Sequence, residues 1–306
     1  MTDTGINEQG GRNMVTLKNE FLEATIEERG AQLCTLKDLK SGRDLLWEGD
    51  PVFWGYHAPV LFPFVGIMNR KEFRYKGTAY PMKQHGFARE MNFRVEQQSE
   101  TSVTHVLEAD AKTRENYPFG FRLAITQTLV KNRLVISWCV ENPAAQETLY
   151  FSIGAHPAFR VSANETDQKN ECYVYFPGHS SLSYILVDLK EVAADPSKVY
   201  TMNLDNGYLK LEDHLFDIDT FIFEGSQIRE VSLCGSDKKP YITMYCEGFP
   251  YFGLWTKSDA APFVCLEPWY GRIDDKGFCG ELPEKTGILS LAAGDVFRAS
   301  YEIEIP

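Results

Sequence analysis

The chain has 306 residues, a formal net charge of −12 at pH 7, and is 43% hydrophobic and 13% aromatic. That length is ample for a large core, and all-β chains of this size often run as one domain. The acidic balance argues against nucleic acid and anionic membrane as partners and weakly disfavours a highly anionic substrate, unless a local basic pocket overrides it. No apolar run resembles a signal peptide or approaches the about 18 residues of a membrane span. Seven cysteines without a C-x-x-C pair read as reduced core cysteines of a cytoplasmic protein.

Residues 1–13, polar and glycine-rich, read as a disordered leader, with one domain over 14–306. Strand signals follow. Residues 15–27 and 31–36 read as short strands, and 40–44 as a turn before Leu45-Leu46-Trp47. Residues 71–82 form a hairpin: Phe73, Tyr75, Tyr80 and Met82 are its apolar positions and Lys76-Gly77-Thr78 its turn. Pairing its strands predicts that Arg70 and His85, at the two ends, lie close.

Apolar residues alternate over 121–129 and again over 134–140 across Lys131-Asn132, which is a hairpin with one buried face. Residues 160–170 and 186–200 are polar and read as loops. Asn206-Gly207 marks a tight turn, residues 231–234 and 241–245 flank another, and Phe297, Ala299, Tyr301, Ile303 and Ile305 alternate to the end. No segment longer than about ten residues carries a helical period. The expected fold is all-β: one large antiparallel β-sandwich whose long loops carry function.

The chemistry-bearing residues stand in four short stretches. Asn69-Arg70 precedes the hairpin, and Gln84-His85-Gly86-Phe87-Ala88-Arg89 follows it. Gly154-Ala155-His156-Pro157-Ala158-Phe159 comes third and Leu266-Glu267-Pro268-Trp269 last. His85 and His156 are each flanked by small residues that let a backbone pass closely. Taken alone, either reads equally as a structural histidine. Glu267 ends an apolar run. A carboxylate there either keeps its head in water or is buried, with its pKa raised toward the range of a general base. Metal-binding spacing is absent, as are the phosphate-cradling glycine patterns and G-x-S-x-G, so neither metal nor cofactor is expected.

In order and approximate spacing, these four stretches resemble the aldose 1-epimerases (galactose mutarotases), on their LacX-like branch, and the likeness runs over nearly the whole of 14–306. The resemblance implies a β-sandwich that works on a free sugar without metal or cofactor. By residue match, Glu267 would take the proton from the anomeric hydroxyl and His156 would donate to the ring oxygen. Arg70 and His85 would hold the sugar hydroxyls, and Asp219, with Asp217 as competitor, would supply an acidic grip.

The residue types suit that reaction on their own account. Exchanging anomers needs one proton off O1 and one onto the ring oxygen, and a base and an acid on opposite sides of the ring suffice. Two alternatives stay open: a hexose-6-phosphate epimerase and a non-catalytic carbohydrate-binding sandwich. Against the first, Arg89 in a strand would lie too far from His85 to join a phosphate clamp.

Overall fold

The computed structural model describes residues 13–161 and 167–306. The expected leader therefore lies, but for Asn13, outside the described residues, as do residues 162–166 of the 160–170 loop. Among the described residues the chain forms a nine-stranded and a six-stranded antiparallel sheet, with smaller ribbons around them. Its one α-helix is the short Ala111–Asn116, opened by an Asp110–Thr113 capping box.

The nine-stranded sheet is built on the alternating hairpin. Arg122–Val130 pairs with Arg133–Glu141, which in turn pairs with the final strand Val296–Glu304. That strand also pairs with Pro240–Tyr245, so the end of the chain sits mid-sheet. The strict alternation of apolar residues read from the sequence is the burial pattern observed, with Leu134, Ile136, Trp138 and Val140 inside. One hydrophobic cluster runs from Val15 to Ile305 between the layers.

The six-stranded sheet positions the site. Its order places Phe221–Glu224, Tyr251–Trp255, Phe263–Tyr270, Ile153–Ala155 and Val60–Leu61 side by side, with Ala158–Arg160 also paired to Phe263–Tyr270. The central strand Phe263–Tyr270 is buried on both faces. Val264 and Leu266 enter the main cluster, while Phe263, Cys265 and Trp269 point to the opposite face and pack in two smaller clusters. Glu267 lies on that second face.

Two glycines allow the close approaches. Gly154 seats the Trp269 indole, since a Cβ there would come within 2.5 Å of the ring. Gly86 has φ +71 and lies against Phe62, whose carbonyl oxygen would be 2.3 Å from a Cβ.

Candidate active site

A cavity of about 420 Å³ opens on the second face of the six-stranded sheet, within the size range of small-molecule sites. Trp54, Trp255 and Phe53 form an aromatic wall. Ile67, Val187, Ile222 and Ile273 form an aliphatic one. His85, His156, Asp219 and Glu267 line it between these walls, joined by Gln84, Arg89, Thr220 and Lys257.

Glu267 and His156 face each other at its floor. Glu267 Oε2 lies 3.3 Å from His156 Nε2, and the two residues are 1% and 7% exposed. His156 comes from the break between Ile153–Ala155 and Ala158–Arg160. The flanking strands pair Gly154 with Trp269 and Ala158 with Cys265, which sets His156 opposite Glu267. Its ring stacks on Trp54 at 4.7 Å and meets Trp255 edge-on at 5.5 Å. Burial, then the charge of Asp219, holds the Glu267 carboxyl well above its usual range. Burial, then the Arg89 charge, pushes His156 down to about 3.

His85 stands edge-on to His156 at 5.6 Å. Its Nδ1 accepts from the Gly66 amide at 3.1 Å, which leaves the proton on Nε2. Burial and the neighbouring His156 and Arg89 hold it well below its ordinary pKa, so it is a neutral hydrogen-bond donor. Asp219 has φ +69, and its Oδ1 accepts from the Thr220 amide and hydroxyl at 2.7 and 2.8 Å. Asp217 instead faces His214 at 3.1 Å and does not line the cavity.

The structure separates Arg70 from this group. Arg70 sits in a 3₁₀ turn, Asn69–Lys71, and lines a smaller hollow with Arg74, Asp274 and Phe278. The hairpin itself forms as expected, with Glu72–Tyr75 paired to Thr78–Pro81. Asn69 anchors the turn away from the cavity: its amide donates to Asp274 Oδ2 at 2.8 Å and its side chain to the Asp275 and Phe278 carbonyls.

Arg89 reaches the cavity instead, as does Lys257. The Arg89 segment, Ala88–Glu90, is a 3₁₀ turn and not a strand, so the extended spacing that set Arg89 apart from His85 does not apply. Its guanidinium lies over the Tyr56 ring at 4.7 Å and donates to the Gln84 carbonyl at 3.0 Å. Its Nε is buried with no partner among the described residues. Tyr56, Lys257 and Trp255 went unread in the sequence because they fall in irregular segments or at a strand end, where no period marks them.

No helix among the described residues is long and apolar enough to cross a membrane. The family model described as Aldose 1-epimerase matches residues 13–278. The chromosomal protein LacX of Lactococcus lactis subsp. lactis is 30% identical over 300 residues, which is 95% of this chain and 99% of that protein. The X-ray structure of a galactose mutarotase related enzyme from Lactobacillus acidophilus superposes with a TM-score of 0.89 at 30% identity, covering 96% of this chain and 97% of that one. A galactose mutarotase-like protein from Lactobacillus casei gives 0.87 at 29%, covering 96% and 100%. The chain belongs to the aldose 1-epimerase family.

Proposed function

We propose that the protein interconverts the α and β anomers of a free hexose by opening and reclosing the sugar ring. The observation that carries this is the His156–Glu267 pair, 3.3 Å apart on the cavity floor. Burial shifts Glu267 up and His156 down, which favours a proton shared by the pair and resting on Glu267. A neutral acid beside a neutral imidazole and a carboxylate beside an imidazolium are two forms of the same pair. In the second form Glu267 accepts the proton of the anomeric hydroxyl, the O1 electrons form the carbonyl, the C1–ring-oxygen bond breaks, and His156 protonates the leaving ring oxygen. The C1–C2 bond rotates and the same steps run backward on the other face of the carbonyl. The pair ends with the proton it started with, so the cycle needs no other reactant.

The two groups stand side by side, where an arrangement across the ring had been expected. Both oxygens to be addressed are bonded to C1, so neighbouring groups can serve them. His85 Nε2–H, Arg89 and Asp219 are the hydroxyl-holding groups in this reading, and the aromatic wall takes the C–H face of the sugar. The 6-phosphate alternative keeps one observation in its favour. Lys257 lines the cavity together with Arg89, is exposed, and ion-pairs with nothing among the described residues.

Polarimetry on freshly dissolved α-glucose, α-galactose and α-glucose 6-phosphate tests the reading. The free sugars should equilibrate faster than the buffer rate, with higher kcat/KM than the phosphate. Glu267→Gln and His156→Asn should each lower kcat by about 10²–10⁴, the usual worth of a proton-transfer group. Near-normal turnover in either variant would remove that residue from the mechanism. Acceleration of the phosphate alone would favour the 6-phosphate reaction, and no acceleration of any of the three would leave a binding module.

A further inference from the structure

We propose that His156, Cys265 and Glu267 form a binding site for a thiophilic divalent cation of the zinc class, and that its occupancy competes with the sugar. The competition rests on the function proposed above; the site itself does not. Cys265 and Glu267 are two residues apart on the Phe263–Tyr270 strand and share its cavity-side face. His156 lies opposite Glu267. One ligand atom from each residue falls in a group whose members are all within 4.8 Å of one another. Zinc–ligand bonds of about 2.0–2.3 Å make the edges of a tetrahedral site about 3.3–3.8 Å, so the side chains need close by only about an ångström.

The three residues are 7%, 0% and 1% exposed. Glu267 Oε2 is buried without a hydrogen-bond partner among the described residues and faces His156 Nε2, an unsatisfied acceptor that an occupant would meet. A nitrogen, a sulfur and a carboxylate oxygen are the donor set of zinc-like ions, and the thiolate disfavours magnesium and calcium. Binding releases the Cys265 thiol proton and any proton the His156–Glu267 pair carries. His156 and Glu267 line the cavity, so water or a sugar oxygen would reach an ion they hold, with Cys265 behind them in the core. A bound ion would take both members of the acid–base pair.

Cobalt(II) is the probe, added to the chelator-treated full chain in a Cys279→Ser background, because Cys279 is the exposed thiol. The expected result is one equivalent of cobalt with a thiolate-to-cobalt absorption band and the visible bands of a tetrahedral centre. Cys265→Ala should abolish the thiolate band and weaken zinc binding by at least about tenfold, the low end of what even an outer-shell partner is worth. Cys265→Ser, which keeps the side-chain size, should also lose the band. In the polarimetric assay zinc should inhibit the parent and release on chelation, while Cys265→Ala, measured against its own zinc-free rate, resists zinc. Absence of a saturable thiolate band, or its persistence in both Cys265 variants, overturns the site. If the protein fails to turn over any sugar, the cobalt spectrum still decides the site, and only the competition is lost.

Discussion

Arg89, and not Arg70, lines the cavity. Arg70 was assigned by motif, but its turn is tied to Asp274 and the Asp275 and Phe278 carbonyls through Asn69, and the side chain lies in a separate hollow. Arg89 reaches the cavity because Ala88–Glu90 coils back and stacks the guanidinium on Tyr56. Arg89→Ala should therefore lower kcat/KM by about 10–100-fold, the worth of one charged hydrogen bond to a buried partner. Arg89→Lys should recover little, since an ammonium cannot keep both the stack and the fork. Arg70→Ala should stay within about twofold of the parent. Steady-state kinetics on all three checks this, and a larger loss in Arg70→Ala than in Arg89→Ala would reverse the assignment.

Glu267 was legible as a candidate because a carboxylate at the end of an apolar run has to be paid for by something. Its partner distance was not, since it depends on which strands are neighbours. The same burial predicts a trade. A folded pKa raised above the unfolded one contributes stability only at low pH, so at pH 7 the carboxyl costs stability. Glu267→Gln should melt at the parent temperature or above it while losing turnover. A fall of several degrees would mean that the carboxylate holds the fold together.

Among the elements, period-two strands were the most readable. The two hairpins read in the nine-stranded sheet fall within a residue or two of expectation, while the Arg94–Gln98 and Ser102–Glu108 pair went unread. The loops that complete the cavity were not readable, because charge pairs between distant segments hold them. Lys285 Nζ lies 2.8 Å from Asp274 and donates to the Arg272 carbonyl at 2.7 Å. Arg272 pairs with Glu224 at 2.6 Å and Asp275 at 2.7 Å. Lys285, Asp274 and Arg272 are each 3% exposed or less. This network fixes Ile273, on the cavity wall, against Gly66. Lys285→Met leaves Asp274 buried without its cation and should cost about 3–5 kcal/mol. Adding Asp274→Asn should recover part of that. Urea midpoints measure both, and a Lys285→Met loss below about 1 kcal/mol would show that the network is dispensable.

At the scale of the whole molecule, the buried histidines set the response to acid. His105 is fully buried in the Ser102–Glu108 strand. Burial pushes it down to about 4, the Gln127 amide pulling weakly the other way. His85 and His156 are also held neutral. In the unfolded chain each would titrate near about 6.5. Between that value and the folded one the unfolded state binds more protons, so stability present above about 6.5 is lost as pH falls. Glu267 has the opposite sign: its folded pKa is raised, and stability returns as pH falls. Three groups oppose one, and the net slope should be loss. Carboxylates lowered by surface ion pairs, such as Asp188 at about 2, begin to matter only as the unfolded carboxylates titrate near about 4. The window from about pH 7 to 5.5 thus belongs to the histidines. The urea midpoint should fall across it, His105→Leu should flatten the fall, and Glu267→Gln, having lost the opposing group, should steepen it. A midpoint unchanged from pH 7 to 5.5 in the parent, or a His105→Leu slope equal to the parent's, would show that these histidines take up protons without unfolding the protein.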